Sequence, residues 1–285
     1  MGVFKTKISP VEKELQKIER EEQKLLQYAE KHSTAPAWKA ELENRIPEKV
    51  MTGLQKAYSK AFGLVFEKGA VIIEKTYDKE SLAKEFRIND YAMDVKGGRK
   101  EIGRIRSEAA GGNALNTVVT TVEGIGLGAL GIGLPDIVIW VGVLLRGVYE
   151  TALKYGFDYE TPQEKLFILK LLETSMAVGE DWKILNSENN DYINRKVSMD
   201  SDEKELKRQI EKTANAFATE MLVTKFIQGL PVVGMLGGAA NPVYYQKIMR
   251  YIQLKYRKRY LIGKKTAGKG DEYYEKYIFH KQIWC

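Results

Sequence analysis

The segment from Gly124 to Leu145 reads GIGLGALGIGLPDIVIWVGVLL and differs in composition from the rest of the chain. Asp136 is its single ionisable residue, and six glycines and one proline interrupt the 22 positions. Glycine destabilises a helix interior by about 1 kcal/mol, whereas proline suits the first turn of a helix. We therefore expect two helices that meet at Pro135, one from about Ala109 to Leu130 and one from Pro135 to about Tyr155. Together they form a predicted helical hairpin.

This apolar segment is also long enough to cross a bilayer, which takes about 20 residues. Its glycines would leave much backbone poorly organised in lipid, and Asp136 would lie near the bilayer centre, where a carboxylate costs several kcal/mol. We therefore expect a buried hairpin in which small residues let the helices approach closely. The alternative is a hairpin that inserts into the bilayer or lies upon it.

Apolar residues recur at helical spacing through most of the remaining chain. The pattern predicts further helices over residues 10–32, from 47 to about 72, and over 79–95, 162–179, 202–228 and 242–262. Gly97 and Gly98 predict the end of the helix over 79–95, and Thr161-Pro162-Gln163-Glu164 predicts a capping box. We expect a charged loop after Gly98 and a long polar loop or frayed linker over 181–202. Because no convincing strand pattern occurs, we predict an all-α fold, a multi-helix bundle around the buried glycine-rich apolar hairpin.

Composition excludes several functional classes. Hydrophobic residues make up 44% and charged residues 29% of the 285 positions, which are ordinary values for a globular protein. Cys285 is the single cysteine, so no intramolecular disulfide, thiolate zinc site or CxxC redox pair exists. His32 and His280 are the two histidines, which excludes an HExxH zinc site and argues against a Ser-His-Asp triad.

The chain is basic, with a formal net charge of +7, and much of that charge lies near the C-terminus. Nine lysines and arginines occur between residues 243 and 270 without one acidic residue. A helix of this composition has three possible environments. It is solvated or paired within the protein, it lies on anionic lipid, or it follows a nucleic-acid backbone. We rank nucleic acid last. The predicted membrane-surface residues are Lys247, Arg250, Lys255, Arg257, Lys258 and Arg259.

Three carboxylates are candidates for chemistry. Glu123 and Asp136 flank the glycine-rich turn, and as a pair they would supply a general acid or hold Mg²⁺ or Ca²⁺. The structural alternative, which we favour, is that Asp136 caps a helix and that Glu123 either pairs with Arg146 or forms a hydrogen bond with a helix terminus. Asp158 is a third catalytic candidate, although a turn that leads into the next helix is the favoured interpretation. No cofactor is predicted.

The order of several short motifs resembles the EcsC family of bacterial proteins, named for a companion of an ABC transporter. The motifs are Glu123-Gly124, Leu134-Pro135-Asp136-Ile137, Arg146, Tyr155-Gly156-Phe157-Asp158, Leu230-Pro231-Val232-Val233-Gly234, Asn241, and Tyr256, Arg259 and Leu261. The resemblance extends over about residues 45–262. One departure is Val138, where the family pattern Asp-Ile-Pro would place proline. The resemblance implies a helical fold and a link to membranes or transporters.

These observations predict three segments, namely an amphipathic helix and linker over residues 1–44, an EcsC-like helical domain over 45–262, and a basic, aromatic tail over 263–285. The N-terminal lysines are not followed by an apolar run, so we expect no signal peptide and a cytoplasmic location at the membrane periphery. The expected role is that of a non-catalytic accessory protein whose partners are an anionic membrane surface and a transporter subunit. The alternative is a hydrolase-like enzyme that uses Glu123 and Asp136, with or without a divalent metal.

Overall fold

A computed structural model describes residues 8–33, 46–66, 73–110, 135–195, 202–227 and 242–267. Within these ranges the chain forms nine α-helices and no strand, which confirms the predicted all-α fold. The helices are α1 (Pro10–Ser33), α2 (Glu48–Leu64), α3 (Lys79–Lys96), α4 (Arg99–Ala110), α5 (Pro135–Lys154), α6 (Pro162–Met176), α7 (Gly179–Ile193), α8 (Glu203–Ile227) and α9 (Pro242–Ala267).

Helix α5 lies in the core, where it packs against α2, α3, α4 and α9. Trp140 and Tyr149 are among its buried side chains, and nearly every residue from 137 to 153 is shielded from solvent. The second arm of the predicted hairpin is therefore a buried helix that begins at Pro135, as expected. Residues 111–134, which carry Glu123 and the first arm, lie outside the described residues. Of the helices described, none is both long and apolar enough to cross a bilayer.

Helix α9 is the second organising element, because it contacts α1, α4, α5, α6 and α7. Ile248, Ile252, Tyr256 and Tyr260 are buried and recur at helical spacing along it. The helix ends at Ala267, a few residues beyond the predicted end at 262.

Helix α1 belongs to the same core. It packs against α7 and α9, and Ile18 and Ala29 join the central hydrophobic cluster. Its first turn has a complete capping box, in which the Glu12 backbone N–H donates to Ser9 Oγ (3.1 Å) and the Ser9 N–H donates to the Glu12 carboxylate (3.2 Å). Helix α1 therefore packs into the same core as the helices that follow it.

The charged loop expected after Gly98 is instead helix α4. Gly97 ends α3 in the left-handed conformation (φ +54°), as the sequence predicted, and α4 begins two residues later. Ile102, Ile105 and Ala109 are buried at positions i, i+3 and i+7. Three apolar residues in a highly charged segment are therefore enough to hold this helix on the core.

The loop predicted over residues 181–202 is also wrong over most of its length, since α7 extends to Ile193. Trp182 and Tyr192 are buried, and so is the polar Asn189, whose Nδ2 donates to Thr174 Oγ1 (2.8 Å). The segment looks aperiodic in hydropathy because part of its buried face is polar and hydrogen-bonded.

Candidate functional site

Four basic residues of α9 that were predicted to face a membrane lie inside the protein. The exposed fractions are 0% for Lys255, 7% for Arg257, and 9% for both Lys258 and Arg259. Each of the four forms ion pairs with carboxylates of other helices. The prediction that these four residues form a lipid-contacting surface is therefore wrong, because their charges are neutralised within the fold.

Most of the matching acids come from α1. Glu22 accepts hydrogen bonds from the ammonium groups of both Lys255 and Lys258, the latter at 2.7 Å. Arg257 pairs with Glu21 at 2.8 Å. The acid-free sequence of α9 and the glutamate-rich sequence of α1 are thus the two halves of one buried ion-pair network.

Arg259 binds Glu164 of α6 through two nitrogen–oxygen contacts of 2.9 and 2.7 Å, and Tyr256 donates to the same carboxylate (2.5 Å). The guanidinium carbon lies 4.0 Å from the ring centre of Phe157, which adds a cation–π contact. Half of the predicted capping box is present, since the Glu164 N–H donates to Thr161 Oγ1 (3.2 Å). The Glu164 carboxylate, however, binds Arg259 instead of returning to the helix end.

The other two predicted membrane-surface residues remain nearer to solvent. Lys247 is half-buried, and its Nζ lies 3.3 Å from Glu220 of α8. Arg250 is exposed. Two side chains at separate positions do not form the continuous basic face that the sequence predicted.

Of the three candidate carboxylates, only Asp158 has a side chain that the structure describes. Glu123 lies outside the described residues, and Asp136 is in the first turn of α5 with its side chain undescribed. Asp158 forms the favoured turn, in which its carboxylate accepts from the backbone N–H of Glu160 (3.0 Å). Arg146, the expected partner of Glu123, donates to Glu150 of its own helix (2.7 Å). The carboxylate pair and the hydrolase alternative stay predictions.

A protein site for a metal ion commonly brings together three or more histidine, cysteine, aspartate or glutamate side chains. Within residues 8–33, 46–66, 73–110, 135–195, 202–227 and 242–267, no such group is arranged to hold a metal ion.

Lys255 has an unusual electrostatic environment for a lysine. Burial lowers its pKa to about 8, and the negative charge of Glu22 offsets only part of that effect. Burial alone would raise the pKa of Glu22, but the charges of Lys255 and Lys258 bring that pKa below its ordinary value. Glu22 is therefore ionised at neutral pH, and Lys255 titrates within the range of mild alkaline conditions.

The free energy of unfolding is accordingly expected to depend on pH through Lys255. The folded protein releases this proton near pH 8, whereas the unfolded chain releases it near the ordinary lysine pKa of 10.5. Between these values the unfolded state binds more protons, so stability rises with pH. From about pH 7.5 to about pH 9 the expected gain is about 1 kcal/mol, measurable by urea unfolding. A Lys255→Met variant should lack this gain, and an equal gain in both proteins would contradict the assignment.

A cleft with a volume of about 240 Å³ lies between α1 and α4, next to this network. Ile102 and Gly103 form part of its α4 wall, and Pro10 lines the end near the start of α1. Five basic residues line it, namely Lys13, Lys17, Arg20, Arg99 and Arg106. Among the described residues of the lining, Glu14 is the single acidic one. The cleft therefore carries an excess of four positive charges.

Glu14 fixes the positions of two of these cations. Lys17 Nζ lies 2.8 Å and Arg106 Nη1 lies 2.9 Å from its carboxylate, and Arg257 approaches it from α9 at 3.8 Å. Burial alone would raise the pKa of Glu14, but the Lys17 hydrogen bond and the charges of Lys17, Arg257 and Arg106 lower it below the usual value. Glu14 thus remains an anion that holds cations on both walls of the cleft.

Such an arrangement is suited to binding an anion. Sequence reasoning missed it, although a signal exists in α1, where Lys13, Lys17 and Arg20 follow the spacing i, i+4, i+7 of one helical face. On the facing element, Arg99 and Arg106 are seven residues apart, which also places them on one face. That second signal is readable only once residues 99–110 are recognised as a helix.

The fold and these sites define an all-α protein whose first and last described helices are joined by buried ion pairs. The sequence profile of the EcsC protein family matches residues 9–261, so the chain belongs to the EcsC family. The match begins at the start of α1 and extends nearly to the end of α9. Searches of curated proteins and of solved structures gave no match.

Proposed function

We propose that this chain is a non-catalytic accessory protein that associates peripherally with an anionic membrane surface, beside an ABC transporter. The observation that carries the proposal is an exposed apolar stripe on α3. The stripe consists of Ile88, Tyr91 and Val95, which are 56%, 72% and 63% exposed. Their spacing of i, i+3 and i+7 places all three side chains on one face of the helix.

The stripe differs from scattered surface hydrophobic residues because its members are contiguous. An exposed tyrosine between aliphatic residues is typical of segments that lie at a bilayer interface, where the phenol meets the headgroups. Burying aliphatic or aromatic side chains of this size gains about 1.5–3 kcal/mol each. The stripe alone therefore offers enough free energy for reversible binding.

Basic residues surround the stripe. Lys84 lies one turn before Ile88 on the same face, and Lys96, Arg99 and Lys100 follow at the corner between α3 and α4; all four are exposed. Each lysine or arginine near an anionic membrane surface contributes about 1 kcal/mol. An apolar face with a basic border matches an anionic bilayer more closely than a neutral one.

The acidic residues of this helix oppose the membrane less than their number implies. Asp90 and Asp94 both accept contacts from Lys264 of α9, at 2.7 and 2.5 Å. The carboxylates near the stripe are therefore partly neutralised by a lysine of the neighbouring helix.

Vesicle flotation tests the proposal. Vesicles that contain phosphatidylglycerol are expected to carry the protein to the top fraction, and phosphatidylcholine vesicles to carry much less. The variant Ile88→Ser/Tyr91→Ser/Val95→Ser is expected to bind at least tenfold less, because most of the buried apolar area is lost. Ile184→Ser is the matched control, since Ile184 is 51% exposed on α7 and lies outside the stripe.

The control is expected to float like the unchanged protein. Equal flotation of the stripe variant and the control would contradict the proposal, as would equal binding to neutral and anionic vesicles. Circular dichroism should show the same helix content for all three proteins, because the substituted side chains are exposed.

A further inference from the structure

We infer that the basic cleft between α1 and α4 binds a ligand that carries a phosphate monoester or pyrophosphate group. The inference is argued from the cleft and not from the apolar stripe on α3, although Arg99 belongs both to the cleft lining and to the basic border of that stripe. Its basis is a concave site, an excess of cationic donors and a buried carboxylate that orders them.

The cleft carries positive charge that the described carboxylates do not compensate. In the described part of the chain, no carboxylate lies within ion-pair distance of Lys13 or Arg99, whereas Lys17 and Arg106 share Glu14. Arg20 donates Nε to the carbonyl of Gln16 (3.2 Å), and no described carboxylate pairs with it. An uncompensated cluster of this kind, set in a cleft, attracts polyvalent anions.

Two of the cations in the cleft are held in fixed positions before any ligand binds. Glu14 is buried and holds a lysine of α1 and an arginine of α4 at 2.8 and 2.9 Å, so the two walls are fixed relative to each other. Arg257 contacts the same carboxylate, so Glu14 connects the cleft to the buried ion-pair network. Binding to a pre-ordered site loses less conformational entropy than binding to free surface lysines.

The hydrogen-bond donors in the cleft are of a type that suits phosphate. Three of the five cations are arginines, whose planar guanidinium groups match phosphate oxygens through paired hydrogen bonds. A single carboxylate would satisfy only one or two of these donors. A phosphate monoester or pyrophosphate has more oxygens and more charge, and so fits the lining better.

Gly103 gives a way to test the cleft without removing charge. It lies in the α4 wall, and a Cβ added there would meet no atom within 4 Å. A leucine at this position therefore has room for its Cβ at the wall of the cleft, and it is expected to occupy part of the cleft while all five cations remain. Replacing a helical glycine also favours the helix, so the variant is expected to fold.

Calorimetric titration of the full chain with pyrophosphate at constant ionic strength is the experiment. Gly103→Leu and the double variant Lys13→Gln/Arg99→Gln are each expected to bind about tenfold more weakly or worse, because they remove the space or the free donors. Lys207→Gln/Arg208→Gln is the matched control, since it removes two exposed cations of α8. This control is expected to bind like the unchanged protein.

Two results would overturn the inference. One is unchanged affinity in Gly103→Leu, which would place any binding elsewhere. The other is an equal loss in both double variants, which would show a response to net charge alone. The stripe variant Ile88→Ser/Tyr91→Ser/Val95→Ser should keep its pyrophosphate affinity, so failure of the membrane proposal is distinguishable from failure of this one.

The same group occurs in soluble phosphate compounds and in phosphatidic acid, and a second measurement separates these sources. Vesicles with phosphatidic acid are compared with charge-matched phosphatidylglycerol vesicles, whose phosphate is a diester. A preference for phosphatidic acid that Gly103→Leu removes supports a lipid ligand in the cleft. Cleft-dependent pyrophosphate binding without that preference supports a soluble ligand.

Discussion

Replacing Arg259 with methionine is expected to lower the free energy of unfolding by about 3–5 kcal/mol. The substitution leaves Glu164 buried, without the guanidinium that contacts both of its oxygens. Tyr256 still donates to the carboxylate, but a neutral hydroxyl does not replace a positive charge in the interior. The cation–π contact with Phe157 is lost as well. Urea or guanidinium unfolding followed by circular dichroism measures the change.

A surface ion pair provides the comparison for Arg259. Lys207 and Glu203 of α8 are 2.6 Å apart but largely exposed, and such pairs contribute at most about 1 kcal/mol. Lys207→Met is therefore expected to change stability by less than about 0.5 kcal/mol. Similar losses in the two variants would show that burial does not amplify the Arg259 pair, contrary to the argument.

A double substitution separates two contributions to the free energy of unfolding, the destabilisation by an unpaired buried charge and the net stabilisation by the ion pair. In Arg259→Met/Glu164→Met no charge remains in the pocket, so part of the lost stability should return. The recovery should be incomplete, because the Tyr256 hydroxyl then loses its acceptor. A double variant less stable than Arg259→Met would contradict this account.

The parts of the fold that sequence predicts well are those governed by local chemistry. Pro135 begins α5, Gly97 ends α3, and the apolar run after Pro135 becomes a helix that is buried over nearly its whole length. Each outcome depends on the intrinsic preferences of a few adjacent residues. The same reasoning would have found the capping box at Ser9 and Glu12, because its serine–x–x–glutamate spacing is local too.

The parts that sequence missed depend on partners far away in the chain. Lys255 is buried because Glu22, 233 residues earlier, meets it in the core. A hydropathy pattern counts every charged residue as exposed to solvent. It therefore predicts that the basic helix α9 forms a surface, although its carboxylate partners lie on α1 and α6. Helix α7 was missed for the same reason, since Asn190 accepts hydrogen bonds from the buried Lys255 and Lys258.

The basic cleft shows the same limit in a functional site. Its α1 cations could be assigned to one face from their spacing, but nothing local shows that Arg99 and Arg106 lie opposite them. That juxtaposition depends on α4, a helix whose charge concealed its three buried apolar residues. Site residues contributed by one helix are thus predictable, and the pairing of two helices is not.

Replacing Gly156 with alanine is expected to lower the free energy of unfolding by about 2–5 kcal/mol. Gly156 has a φ of +80°, a conformation that costs an L-residue about 1–2 kcal/mol. A Cβ at this position would also lie 2.3, 2.5 and 2.9 Å from three ring carbons of Phe86. Phe86 is buried against Tyr260, so its ring has no free space to move into, and such overpacking typically costs about 1–3 kcal/mol more.

Gly97 is the matched control, because it shares the backbone strain but not the clash. Its φ is +54°, and the nearest atom to an added Cβ is the Met93 carbonyl oxygen at 3.7 Å, which is ordinary contact. Gly97→Ala is therefore expected to cost only about 1–2 kcal/mol in chemical unfolding. The difference between the two variants measures the contact with Phe86. If that difference vanished, the close packing of the Tyr155–Asp158 turn against α3 would not be what requires glycine at position 156.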